Sequence, residues 1–192
     1  MTTARPSAGA ASPDAASDGA GLDAGAVEAL FVRLERPLFN VVYRWVWDRE
    51  EAAELVQEAF ARLWQARARV RADTAGAFVH RVAVNLAASR RRWRRLRRFF
   101  AVEEDVASER ARPDEAVLGA EQAAAVRAAV EALPEKLRRA LVLCELSELS
   151  YAEVAAVLAV PVGTVGSRRS AAVARVREHL RGKEQADARR GG

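Results

Sequence analysis

Alanine occupies 43 of the 192 positions of this chain, and this feature sets the strongest limit on how the chain folds. Alanine has the highest intrinsic helix propensity and contributes little apolar area when it is buried. A broad β-sheet core depends on larger side chains, so the composition argues against one. Larger apolar residues recur every three or four positions through most of the sequence, which is the spacing of amphipathic helices. The sequence therefore predicts an all-α fold.

Cysteine and histidine are scarce, which restricts the chemistry available to the chain. Cys144 is the single cysteine, and His80 and His179 are the two histidines, so we predict neither a disulfide nor a metal site. The sequence has no glycine-rich phosphate loop, paired-acid motif or H-E-x-x-H motif, and we therefore predict no enzyme activity and no cofactor. No apolar run approaches the roughly 20 residues that cross a bilayer, and the first residues lack the order of a signal peptide. We expect a cytoplasmic protein without membrane insertion.

The chain divides into two helical segments on either side of an acidic stretch. Residues 1–26 are mostly small or polar, and we interpret them as a disordered tail. Apolar spacing predicts three helices in a first domain over residues 27–99. Residues 100–120 are rich in acidic side chains and are interpreted as a linker. A second small helical domain is expected over residues 121–182, followed by a disordered tail over residues 183–192.

The most specific local pattern is a helix-turn-helix signature in the second domain. Ser150 and Glu153 form the S-x-x-E capping box of a short helix, and Val160-Pro161 interrupts the chain before a basic second helix. In this motif the first residues of the second helix enter the major groove of DNA. The residues expected to reach base edges or phosphates are Thr164, Ser167 and Arg168. An ordinary helical hairpin with a solvated basic face is the alternative.

An arginine run follows the third predicted helix, with seven arginines in the nine residues from Arg90 to Arg98. Like charges along one helix repel each other, so the run predicts a polyanionic partner such as DNA. His80, Arg81 and Asn85 precede the run and are expected to face the same partner. A solvated helix end is the alternative, because cations are favoured near a helix C-terminus.

The second predicted helix carries acidic and amide side chains opposite its apolar stripe. These residues are Glu50, Glu51, Glu54, Gln57 and Glu58. Acidic side chains repel DNA, so this face predicts a surface that binds another protein. A merely solvated face is the alternative.

Taken in order, these segments resemble the sigma-70 family of RNA polymerase sigma factors, in its small extracytoplasmic-function (ECF) group. The motifs that carry the resemblance are Asp48–Trp64, Ala83–Leu86, Leu133–Glu135, Leu149–Ala155, Val160–Val165 and Ser167-Arg168, within Val27 to Arg181. The resemblance implies a sigma region 2 domain followed by a region 4 domain. It implies an alternative sigma factor that binds RNA polymerase core and directs promoter-specific transcription initiation. A helix-turn-helix regulator that acts without the polymerase is the alternative function.

The resemblance also implies a role for each group of candidate residues. The β′ clamp helices of the polymerase would be bound by Glu51, Glu54, Gln57 and Glu58, and the β flap is a further expected contact. The minus-ten promoter element would be bound by His80, Arg81, Asn85, Arg90, Arg91, Arg92 and Arg94. The minus-thirty-five element would be bound by Val162, Gly163, Thr164, Ser167 and Arg168. The family further implies an anti-sigma factor as a partner.

Five positions depart from the family pattern. Gly166 and Ala171 stand where a basic residue is usual, so we expect a weaker or unusual contact with the minus-thirty-five element. Arg169 stands where an apolar residue is usual, so either the helix rotates or the guanidinium reaches the surface. Val84 and Ser89 replace a usual Arg and a usual Asp in the first domain, which is expected to alter minus-ten specificity.

Overall fold

The computed structural model describes residues 21–100 and 117–190, which lie in helices and the turns that join them. The described residues contain no strand, so the predicted all-α fold is confirmed. No helix among them combines the length and apolarity needed to cross a bilayer. The α-helices are α1 (Ala24–Val46), α2 (Arg49–Ala66), α3 (Ala72–Phe100), α4 (Val117–Ala132), α5 (Glu135–Leu146), α6 (Tyr151–Leu158) and α7 (Val162–Arg190), with a 3-10 turn at Arg67–Arg69 between α2 and α3.

Capping hydrogen bonds fix the positions at which α1 and α2 begin. The Asp23 carboxylate accepts a hydrogen bond from the backbone N–H of Ala26 at 2.7 Å, and the Asp48 carboxylate accepts one from Glu51 at 2.9 Å. An aspartate at this position satisfies a backbone donor that the helix itself leaves unpaired. Trp47 ends α1 in the left-handed region, with φ of 56°, and turns the chain sharply into α2. The three helices α1, α2 and α3 then pack against one another.

The predicted helix-turn-helix forms from α6 and α7. Ser150 and Glu153 make both hydrogen bonds of the capping box, because the Ser150 backbone N–H donates to the Glu153 carboxylate at 2.8 Å and the Glu153 N–H donates to the Ser150 hydroxyl at 3.3 Å. Ala159 adopts a left-handed conformation, with φ of 52°, and breaks the helix. The chain re-enters a helix at Val162, and Val165 anchors the start of α7 in the core.

One continuous apolar core joins the two domains. Helix α3 packs against α6, and α1 packs against α5. Leu38 and Val79 of the first domain belong to the same buried cluster as Leu143 and Val154 of the second. We call this contact region, between α1 and α3 on one side and α5 and α6 on the other, the domain seam. The sequence did not predict it.

Three segment ends differ from the predicted bounds. Helix α1 begins at Ala24, inside the predicted N-terminal tail, and Leu22 before it is buried, with its backbone N–H donating to the carbonyl of Arg67 at 2.8 Å. Helix α4 begins at Val117, inside the predicted linker, and residues 101–116 of that linker lie outside the described residues. Helix α7 continues to Arg190 through the predicted C-terminal tail, whose Lys, Glu, Gln, Ala and Arg residues favour helix.

Candidate nucleic-acid and polymerase interfaces

The start of α7 presents small side chains to solvent. Val162 is 48% exposed, and a side chain added at Gly163 would meet no other atom within 4 Å. Ser167 is exposed, and its hydroxyl donates to the carbonyl of Thr164 at 3.1 Å. Arg168 lies one residue further and is half-buried. An uncovered helix start with short side chains has the shape that enters a major groove, so the structure brings the predicted minus-thirty-five residues together on one surface.

Two of the unusual positions in α7 have clear structural settings. A Cβ added at Gly166 would approach only the Tyr151 ring, at 3.9 Å, so this position has room for a side chain. The Arg169 guanidinium donates from Nε to Glu145 of α5 at 2.6 Å. Of the two alternatives that the sequence left open, the structure therefore shows the second, because the head of Arg169 reaches the surface.

The arginine run is split by its contacts into inward and outward groups. Arg90 forms an ion pair with the Glu51 carboxylate at 3.2 Å, and Arg94 forms a second one. Arg94 also donates to the carbonyl of Val46 at 3.0 Å. These two arginines tie the end of α3 to α1 and α2, so Glu51 already neutralises part of their charge within the domain.

Glu51 is more buried than the other residues that were predicted to bind the polymerase. Its side chain is 11% exposed and faces the two arginines of α3. Burial raises the pKa of the Glu51 carboxyl, and this effect outweighs the opposing attraction of Arg94 and Arg90. Glu54, Gln57 and Glu58 are exposed on α2, with Glu58 paired to Arg62 at 2.5 Å. The structure thus brings together three of the four predicted polymerase-binding residues and separates the fourth.

The outward members of the run are exposed, and Arg92 and Arg95 line a cleft together with Trp45 and Glu135. Arg92 and Arg95 are exposed, and Trp93 between them is 65% exposed. We find no hydrogen bond or ion pair from Arg92 or Arg95 to any other described residue. Guanidinium groups can bind the backbone of a single strand, and an exposed ring can stack on its bases.

Other predicted minus-ten residues make hydrogen bonds to the second domain, although Arg81 and Asn85 stay exposed to solvent. Arg81 donates to the carbonyl of Ala156 in α6 at 2.6 Å. The Asn85 side-chain oxygen accepts a hydrogen bond from Arg139 of α5 at 2.9 Å. Arg91 is half-buried and donates to the carbonyl of Glu131 in α4 at 2.7 Å. His80 is fully buried, with 0% of its surface exposed. In this arrangement the second domain occupies part of the surface that was expected to bind DNA.

Arg138 is a seam residue that sequence reasoning missed. It is fully buried, donates to the carbonyl of Arg44 at 2.5 Å and lies 4.8 Å from the centre of the Trp45 ring. Its Nε and Nη1 atoms are buried without a hydrogen-bond partner among the described residues. Burial lowers the pKa of Arg138 to about 10, which leaves the group charged at neutral pH. The signal available in the sequence was its position one turn before the apolar Val142, because residues four apart lie on the same face of a helix, and Val142 is buried.

Comparison with known proteins identifies the family of the chain. Residues 30–99 match the family described as Sigma-70 region 2, and residues 123–176 match Sigma-70, region 4. The ECF RNA polymerase sigma-E factor of Escherichia coli K12 is 34% identical over 174 residues, which cover 85% of this chain and 88% of that protein. The chain belongs to the sigma-70 family. The RNA polymerase sigma-H factor of Pseudomonas aeruginosa is 33% identical to this sigma factor over 160 residues, covering 76% and 81% of the two chains.

Solved structures agree with this sigma factor in fold. The structure of CnrH in complex with the cytosolic domain of CnrY has a TM-score of 0.63 and 22% identity, and it covers 83% of this chain and 90% of that one. The sigma factor RpoE in complex with the anti-sigma factor NepR, from Bartonella quintana, has a TM-score of 0.60 and 22% identity, with coverage of 80% and 96%.

The family places the chain in its functional class. It is an alternative sigma factor of the ECF group, it binds RNA polymerase core, and it directs transcription initiation. The predicted family and function are therefore confirmed. The sigma-70 family is not known as a family of enzymes.

Proposed function

We propose that this sigma factor reads the minus-ten element with α3 and the minus-thirty-five element with α7, without chemistry of its own. The observation that carries the proposal is the uncovered start of α7 in a helix-turn-helix, where Val162, Gly163 and Ser167 share one exposed surface. Recognition of both elements depends on hydrogen bonding, charge and stacking, so neither requires a metal or a cofactor.

Recognition of the minus-thirty-five element would rest on a small number of side chains. Thr164, Ser167 and Arg168 can donate to base edges or phosphates from the first two turns of α7. Gly166 contributes no side chain to this surface, and Arg169 is held by Glu145. We infer that Arg168 is the main cationic contact at the groove.

Recognition of the minus-ten element would use the outward arginines together with Trp93. Arg92 and Arg95 would bind the backbone of the melted strand, and the exposed Trp93 ring offers a stacking surface for a base. Arg90 and Arg94 support this surface from behind through Glu51. Asn85 and Arg81 can join it once their hydrogen bonds to the second domain are broken.

Binding to the polymerase would use the exposed face of α2. Glu54, Gln57 and Glu58 form an exposed acidic and amide surface. Such a surface repels DNA phosphates and suits a partner protein with complementary charge. We infer that this face binds the β′ clamp helices, that the second domain meets the β flap, and that the protein acts in the cytoplasm with its polymerase.

We propose an anti-sigma factor as a further partner. Two structures similar to this chain were solved as complexes, one with the cytosolic domain of CnrY and one with the anti-sigma factor NepR. Those partners belong to the similar proteins. For this chain, the proposal is tested by co-purification of the full-length protein from its own cells.

Run-off transcription with core polymerase and genomic fragments, followed by sequencing of the transcript starts, tests the proposed function. The expected result is a set of starts that share upstream sequence at two positions and that require the added protein. Arg168→Ala should weaken starts that depend on the upstream position, and Arg175→Ala, further along α7, is the matched control. Starts that are unchanged by Arg168→Ala, or that are weakened equally by Arg175→Ala, would contradict the assignment of the minus-thirty-five element to the start of α7.

A further inference from the structure

The domain seam matters because the two promoter elements are far apart. Elements at minus ten and minus thirty-five are separated by about 25 base pairs, or roughly 85 Å at 3.4 Å per base pair. We call the chain closed when the two domains are in contact at the seam. In this form, hydrogen bonds from Arg81 to Ala156 and from Arg139 to Asn85 hold the two DNA-binding domains side by side. A chain closed in this way cannot reach both elements, so the contacts at the seam must be reversible if the proposed function holds.

His80 lies in α3 where that helix meets α6, and its ring is the buried histidine of the chain. Nδ1 lies 2.8 Å from the carbonyl of Gly76, which is an acceptor, so Nδ1 carries the proton of the neutral ring. Nε2 is buried and has no hydrogen-bond partner among the described residues. A second proton on Nε2 would create a buried donor with nothing to receive it, and would add a buried charge.

The charged groups around His80 come from three helices. Glu153 of α6 is the carboxylate whose charge acts on the ring, and Arg33 of α1 acts in turn on Glu153. On α3 itself, Arg81 extends to Ala156 of α6. Hydrogen bonds from Ser150 hold the pKa of Glu153 below its usual range, so this carboxylate stays ionised in mild acid. Burial nevertheless outweighs the attraction of Glu153 and lowers the pKa of His80.

We propose that His80 makes the contact between the two domains sensitive to protons, with the neutral ring favouring the closed chain and the protonated ring favouring separation of α6 from α3. Separation would break the hydrogen bonds that Arg81 and Asn85 make to the second domain and leave both side chains available to DNA. This consequence for DNA rests on the proposed function, whereas the closing equilibrium itself does not. The neutral ring fits the seam because its unpaired Nε2 carries no charge, and the imidazolium does not fit because water cannot reach it there.

The direction and size of the effect follow from linkage. In the open chain the ring meets water and has an ordinary pKa of about 6.5, whereas in the closed chain its pKa is lower. The closed form is therefore fully favoured above about pH 6.5 and is lost as pH falls from there toward the lower value. Within that window the ratio of closed to open chains falls by up to about tenfold for each pH unit.

Single-molecule energy transfer in the full-length chain tests the proposal without DNA or polymerase. Dyes on cysteines introduced at the exposed positions Ala53 and Ala171, in a Cys144→Ala background, report the closed and open populations. Between about pH 7.5 and about pH 5.5, the wild-type ratio should stay level and then fall by up to about tenfold per unit below pH 6.5. His80→Phe should remove this response, and His179→Gln, on the exposed histidine of α7, should retain it.

A second variant keeps the test decisive if His80→Phe does not fold, as judged by circular dichroism. Glu153→Gln preserves a capping box, since Gln serves at this position, but removes the negative charge that favours the imidazolium. It should enlarge the loss of the closed form in acid. A wild-type ratio that does not change with pH, or an acid response that persists in His80→Phe, would overturn the proposal. Neither outcome bears on promoter-dependent transcription, so failure here is distinguishable from failure of the proposed function.

Discussion

Replacement of Glu51 by glutamine separates two explanations of the acidic face of α2. The sequence groups Glu51 with the polymerase-binding residues, whereas the structure pairs it with Arg90 at 3.2 Å and with Arg94. Glu51→Gln keeps the shape of the side chain and removes its charge. If Glu51 acts through its ion pairs with Arg90 and Arg94, the change should leave polymerase binding intact and make the two positive charges available to DNA.

The expected effect on stability is small, because two opposing contributions nearly cancel. Each ion pair with a partly buried carboxylate is favourable, but both arginines are exposed by 40% or more, so solvent screens the attraction. Burial raises the pKa of Glu51, which means that the ionised carboxylate is less favoured in the fold than in water. The neutral amide of Glu51→Gln avoids that penalty and can still accept a hydrogen bond. We expect the free energy of unfolding to change by less than about 1 kcal/mol.

The expected effect on DNA binding is larger and has a characteristic dependence on salt. Each additional phosphate neutralised on duplex DNA steepens the plot of log affinity against log salt concentration by about 0.9. Release of Arg90 and Arg94 should therefore steepen this slope by up to about 1.8. Fluorescence anisotropy with a labelled duplex, over a series of salt concentrations, measures the slope directly.

Glu54→Gln is the matched control, since Glu54 is exposed one turn along the same helix. It should weaken competition for core polymerase and leave both the salt slope and the stability as in the wild type. Glu51→Gln should show the reverse pattern. If Glu51→Gln lowers polymerase affinity as much as Glu54→Gln does, or leaves the salt slope unchanged, pairing with the arginines of α3 does not determine the behaviour of Glu51.

Three further substitutions test the second domain. Gly166→Lys should tighten binding to a minus-thirty-five duplex, because a new side chain at this position meets only the Tyr151 ring at 3.9 Å. In anisotropy titrations it should also steepen the salt slope by about 0.9. An unchanged slope would show that this position does not face a phosphate. Arg168→Ala should reduce run-off transcription from promoters that need the upstream element by about tenfold, which is the effect of one lost contact worth about 1.4 kcal/mol. Arg175→Ala should change this transcription little. An equal loss of transcription in both variants would indicate non-specific attraction to DNA. Ser150→Ala should cost about 1 kcal/mol of unfolding free energy in urea titrations because it removes the cap of α6, and a neutral result would contradict the capping role.

Local chemistry made much of the fold predictable from the sequence. Asp48 caps α2, and Ser150 with Glu153 caps α6, through hydrogen bonds between residues three apart in the chain. Such signals depend only on neighbouring residues and on the helical period, so the helices and the helix-turn-helix could be anticipated. The exposed start of α7 follows from the same local pattern.

The remaining features depend on contacts between distant parts of the chain. Arg139 meets Asn85 across 54 residues, and Arg138 meets Arg44 across 94. No local pattern encodes such pairs, because they depend on how α5 packs against α1 and α3. Glu51 illustrates the same limit, since its position on the polar side of α2 gave no sign that arginines of α3 lie across from it. Two of the residues predicted to bind DNA, Arg81 and Asn85, consequently make hydrogen bonds across the domain seam in the closed chain.

The buried guanidinium of Arg138 has a consequence for the stability of the closed chain. Two of its nitrogens find no acceptor among the described residues, and each buried donor left unpaired costs about 1–3 kcal/mol. Water reaches these nitrogens as soon as α5 leaves α1, so the chain recovers their hydration early in the separation. Arg138 therefore lowers the net stability of the contact between α5 and α1, although its hydrogen bond to Arg44 and its contact with the Trp45 ring act in the opposite direction.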